Sequence, residues 1–123
     1  MTNIKTVVSS TILALAVSAG AFAAENAEGV REHMALTLEK TKAAQVSAAA
    51  GNKDECLSNI KSAKQHYKEI TGDAAGKPLQ DAIKTLKVGQ AECESGDTAK
   101  AAQTLTGVVG SLEKINAQVQ AGG

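Results

Sequence analysis

His33, His66, Cys56 and Cys93 are the side chains of this sequence best suited to coordination or redox chemistry, and Met34 adds a thioether beside the first histidine. Imidazole nitrogens backed by a carboxylate are a donor set for Cu, Ni or Zn. His33 lies 18 residues before Gly51 and His66 lies 15 after it. If the chain reverses at that glycine, the two histidines stand within about 4–5 Å of the same height, at 1.5 Å of rise per residue. Glu69 follows His66 by one helical turn and is a candidate third ligand, while Glu32 and Asp81 fall at the same end. The competing reading makes both histidines solvated residues flanking a core stripe.

The cysteines form the second constellation. Cys56 lies five residues after Gly51 and Cys93 three before Gly96, a height difference of about 3 Å if both glycines mark turns at one end of the molecule. Two cysteines facing each other on packed helices meet the geometric needs of a disulfide, which is the expected state in an oxidising compartment. With no Cys-x-x-Cys and no neighbouring histidine, a redox couple or thiolate metal site is the weaker alternative.

Met34 and His66 together admit a haem reading of the b type. One mature aromatic to line a pocket, and no Cys-x-x-Cys-His for covalent attachment, argue against it. The simpler role for Met34 is filling the core. No Ser-His-Asp grouping, phosphate loop or Glu-x-x-His pair is recognisable, so no catalytic residue is assigned and an enzyme is not expected.

These side chains must be positioned by helices. Val30, Met34, Leu38, Thr41, Gln45 and Ala48 recur at three- and four-residue spacings, as do Cys56, Ile60, Ala63, Tyr67 and Ile70. Leu79, Ile83, Leu86, Gln90 and Cys93 form a third stripe, and Leu105, Val108, Leu112, Ile115 and Val119 a fourth. Gly51-Asn52, Thr71-Gly72 and Gly96-Asp97 separate them, a loop is expected over Asp73 to Lys77, and Pro78 suits a first helical turn. The two halves match at an offset of 45 residues: Gly51 on Gly96, Leu38 on Ile83, Lys42 on Lys87, Ile60 on Leu105 and Ile70 on Ile115. The predicted fold is all-α, an up-down-up-down four-helix bundle of two similar αα-hairpins. Gly89, Gly107 and Gly110 fall inside helices, where close packing is the first explanation and a binding groove the second.

The N-terminus reads as an export signal. Lys5 precedes an apolar run from Val7 to Ala19, and Ala21-Phe22-Ala23 offers a small-x-small cleavage pattern. Residues 1–23 are thus expected to be removed, leaving residues 24–123 as one bundle domain, most simply in a bacterial periplasm. The run is too short for a membrane anchor. Losing Lys5 takes the basic count from 13 to 12 against 13 acidic residues, a net charge of −1. So balanced a chain is not expected to take nucleic acid or an anionic membrane as a partner, since both require clustered positive charge. Tyr67 is its one mature aromatic, which argues against base stacking and aromatic cages.

AIKTLKVGQAECESGDTAKAAQTLTGVVGSLEK, Ala82 to Lys114, resembles the second hairpin of the small metal-binding protein family, and His33 to Ile70 resembles the first. The family's members are exported four-helix bundles with many histidines that bind divalent metals. The resemblance implies the bundle, the compartment and a metal ion as ligand. This sequence departs from it with Thr85, Glu92 and Asp97 in the histidine-bearing region, keeping only His33 and His66. Two alternatives stand beside metal binding: a disulfide-stapled scaffold that docks an unidentified periplasmic protein, and the haem-binding bundle.

Overall fold

A computed structural model describes residues 21–122. The Met1–Gly20 part of the expected leader lies outside the described residues. Four helices make up the fold among the described residues: α1 (Ala21–Ala49), α2 (Lys53–Tyr67), α3 (Lys77–Glu94) and α4 (Thr98–Gly122), with a 3-10 turn at Gly72–Ala75 before α3. The all-α bundle expected from the four stripes is the one observed. Helix α1 already runs through the expected cleavage point after Ala23. No helix among the described residues is long and apolar enough to cross a membrane.

The tight reversals follow from local chemistry. At the end of α1, Asn52 N–H donates to the Ser47 carbonyl at 2.8 Å and Gly51 N–H to the Ala48 carbonyl at 2.9 Å. This paired closure is a Schellman motif, and it needs a residue at positive φ, which Gly51 supplies at 78°. Asn52 then caps α2, its side-chain oxygen accepting from Glu55 N–H at 3.1 Å. The end of α3 repeats the arrangement at the sequence offset: Asp97 N–H to the Glu92 carbonyl at 2.8 Å, Gly96 N–H to the Cys93 carbonyl at 3.0 Å, and Gly96 at φ 87°. Asp97 accepts from Lys100 N–H at 3.4 Å. Two copies of one turn produce two copies of one hairpin.

Leu38, Ile83, Ile60, Leu105, Ile70 and Ile115, the apolar pairs of the internal match, are all buried. They join Met34, Leu79, Leu86, Val108 and Leu112 in a single core. Val30, Gln45, Tyr67, Gln90 and Val119, placed on the stripes by spacing, are only partly buried because they flank the seams. Thr41 is buried as its stripe position predicts, and Thr37 and Ser47 are buried beside it, each hydroxyl donating to the carbonyl four residues back at 2.7–2.9 Å. That bond satisfies a hydroxyl that would otherwise oppose burial.

Helix α1 packs against α2 and α4, and α3 against α4; the α2–α3 seam is the thinnest. It is held by the Cys56–Cys93 disulfide, with both cysteines fully buried and their Cα atoms 6.6 Å apart. Lys64 Nζ donates across the same seam to Gln90 Oε1 at 2.8 Å. On the exposed side of α1 and α4, the Lys42–Glu113 pair at 3.6 Å adds little, since water screens it.

Close packing explains one interior glycine and not the others. A Cβ on Gly89 would lie 2.9 Å from Leu105 Cδ2 and 3.2 Å from its Cγ, so the absent side chain lets α3 approach α4. Gly107 and Gly110 are exposed with nothing near a would-be Cβ, which corrects the packing explanation for these two.

Candidate functional site: a two-histidine pair between α1 and α2

The reversal at Gly51 brings His33 of α1 and His66 of α2 together. Their Nδ1 atoms stand 3.1 Å apart, one ring nitrogen donating to the other, with ring centroids 5.4 Å apart and planes 34° from parallel. Both side chains are half-buried, at the end of the hairpin opposite the Gly51 turn. Thr37 Oγ1 donates to the His33 carbonyl at 2.7 Å, one turn further along α1. Met34, immediately after His33, points into the core and is fully buried.

A hydrogen bond between two neutral imidazoles uses one N–H and one lone pair. If both lone pairs serve as ligands instead, a metal–nitrogen bond of about 2.0–2.1 Å on each side gives an angle near 100° at the ion. That angle belongs to a tetrahedral ion or to adjacent corners of a square plane or octahedron, and it excludes a linear ion unless the rings separate. The spacing therefore fits Zn, or Cu(II) and Ni(II) in a cis arrangement, once both rings turn their Nδ1 lone pairs off the hydrogen-bond axis toward a common point.

Glu69 does not join the pair. Helix α2 ends at Tyr67, and the chain tightens there, with Glu69 N–H donating to the His66 carbonyl and Ile70 N–H to the Tyr67 carbonyl, both at 3.0 Å. The residue three positions after His66 is thus past the helix and no longer one turn above it on the same face; it is exposed. Ile70 is buried from the connection rather than from α2. Asp81 pairs with Lys77 at 3.1 Å, and Glu32 is exposed. Among the described residues, no three His, Cys, Asp or Glu side chains gather where an ion would sit.

A second feature agrees with the groove offered as the second explanation for Gly107. A groove of about 410 Å³ runs between α3 and α4, lined among others by Pro78, Asp81, Thr85, Gly107, Ser111 and Lys114. At the offset of 45, Pro78 corresponds to His33 and Ser111 to His66. The groove thus occupies, in the second hairpin, the place that the histidine rings occupy in the first. The internal match carried that signal, although the histidine positions themselves are not conserved between the halves.

Compared with known proteins, the chain matches no family model, no curated protein and no solved structure.

Proposed function

We propose that this chain is an exported, non-enzymatic helical bundle that binds a divalent metal ion, Cu, Ni or Zn, through His33 and His66. The observation that carries the reading is the 3.1 Å separation of two half-buried Nδ1 atoms from residues 33 positions apart. A two-ligand site holds its ion more weakly than the three- or four-ligand sites of dedicated metal centres, which suits reversible binding rather than a structural role. The structural role falls to the disulfide, and its formation suits the periplasm to which residues 1–23 direct the chain. The resemblance to the small metal-binding protein family agrees with this reading, with a reduced number of sites.

Calorimetric titration of the oxidised protein with Cu(II) and Ni(II) tests it. Binding is expected in the wild type and absent in a His33→Ala/His66→Ala variant that keeps its helical circular dichroism. Equal heats from the two proteins would falsify the metal reading. The scaffold reading would then take its place, favoured by the open α3–α4 groove.

A further inference from the structure

We infer that the bundle stacks head to tail on further copies of itself, the lysine-bearing α2–α3 face of one chain docking on the glutamate-bearing α1–α4 face of the next. The helices pack in the cyclic order α1, α2, α3, α4, so these two faces lie on opposite sides of the molecule. Lys61, Lys64 and Lys68 recur at spacings of three and four from α2 to its C-cap, on the flank from which Lys64 reaches Gln90 of α3. Lys84 and Lys87 stand on the outer side of α3, Lys87 three residues before Gln90. All five but the half-buried Lys64 are exposed, and none forms an ion pair among the described residues. Across the molecule, Glu28, Glu32 and Glu39 are exposed along α1 at spacings of four and seven, with Glu113 of α4 held beside them by Lys42. A chain whose charges nearly cancel is thus electrically two-sided.

A second copy is the occupant that answers both faces at once. Counted from Gly51, Glu39 lies 12 residues before it, and Lys61 and Lys64 lie 10 and 13 after; Glu32 lies 19 before and Lys68 17 after. At 1.5 Å of rise per residue, the acidic and basic rows agree in height to within about 3 Å, so a neighbour displaced sideways meets opposite charge along both rows. Each face also carries one exposed large hydrophobic residue: Val46, two turns after Glu39, is 63% exposed, and Val88, one turn after Lys84, is 50% exposed. An anionic bilayer or a nucleic acid would engage the lysines alone and leave the glutamates and Val46 unmatched. Because the two faces are different surfaces, the contact is heterologous and does not close at two chains. Held by exposed charges, it is weak and yields to salt. No metal ion takes part in it.

Sedimentation of the oxidised protein in EDTA, at low ionic strength and at about 1 M salt, tests the stacking. At low ionic strength the weight-average mass should rise at least about twofold with concentration, without levelling at a dimer, and salt should return it to the monomer. Two charge-reversed variants, Lys61→Glu/Lys84→Glu/Lys87→Glu and Glu28→Lys/Glu32→Lys/Glu39→Lys, should keep their helical circular dichroism and each stay monomeric alone. Mixed together they should associate again, because the first then presents two acidic faces and the second two basic ones. A wild type that stays monomeric at low ionic strength overturns the inference, as does a mass that levels at two chains or a mixture that does not associate. Should the monomer co-sediment with phosphatidylglycerol vesicles instead, the lysine face belongs to an anionic bilayer and stacking is wrong.

Discussion

His33 donates to or accepts from His66 across 3.1 Å, yet the two residues reach one another only because Gly51 reverses the chain between them. The pair closes one end of the first hairpin, and the Cys56–Cys93 disulfide lies toward the other. The bundle therefore carries a polar, exchangeable junction at one tip and a covalent, buried one at the other.

Replacing either histidine alone should nearly abolish metal binding, because a single imidazole on a helix surface holds an ion no better than any exposed histidine. Stability should change by no more than about 1 kcal/mol, the usual net worth of one partly exposed hydrogen bond. Titration calorimetry and guanidinium unfolding of His33→Ala and His66→Ala separate the two effects. A large loss of stability with metal binding retained would show the pair to be structural.

Removing the staple should matter far more. The disulfide spans 37 positions, and closing a loop of that length stabilises a fold by about 4 kcal/mol through the unfolded chain. A Cys56→Ala/Cys93→Ala variant should unfold at much lower guanidinium concentration, and amide exchange should rise first along the thin α2–α3 seam. Unchanged protection in α2 would contradict the view that the disulfide holds that seam.

The interior glycines should respond in opposite directions. Gly89→Ala pushes a methyl group to within 2.9 Å of Leu105 Cδ2, and forcing the helices to give should cost about 1–2 kcal/mol. Gly107→Ala and Gly110→Ala meet open space and remove unfolded-state freedom, so each should gain up to about 1 kcal/mol. Thermal unfolding of the three variants gives the signs directly, and a destabilising Gly107→Ala would point to a contact on the α3–α4 groove.

The repeat offers a gain-of-function test. Pro78 and Ser111 stand where His33 and His66 stand in the first hairpin, and both line the groove. A Pro78→His/Ser111→His variant should acquire a second site and bind two ions per chain in place of one. A stoichiometry that stays at one would mean that the hairpins, although alike in their turns, do not hold these positions at the same separation.

Much of the architecture was legible in residue order alone. The four stripes, the glycines at 51 and 96, and the 45-residue match between halves specify helices and reversals by local rules: hydrophobic spacing, positive φ and side-chain capping. The cysteine pairing followed from the same arithmetic, since equal distances from two turns at one end put two core positions at one height. The histidine pair was legible for the same reason. What local rules could not decide was where α2 stops, two residues before Glu69, and that single boundary removes the third ligand from the site. Nor could they distinguish Gly89, pressed against Leu105, from Gly107, facing an open groove, because both lie in helical sequence of similar composition. A helix boundary and the local separation of two helices are set by packing across the whole bundle. Spacing within one helix carries no record of either.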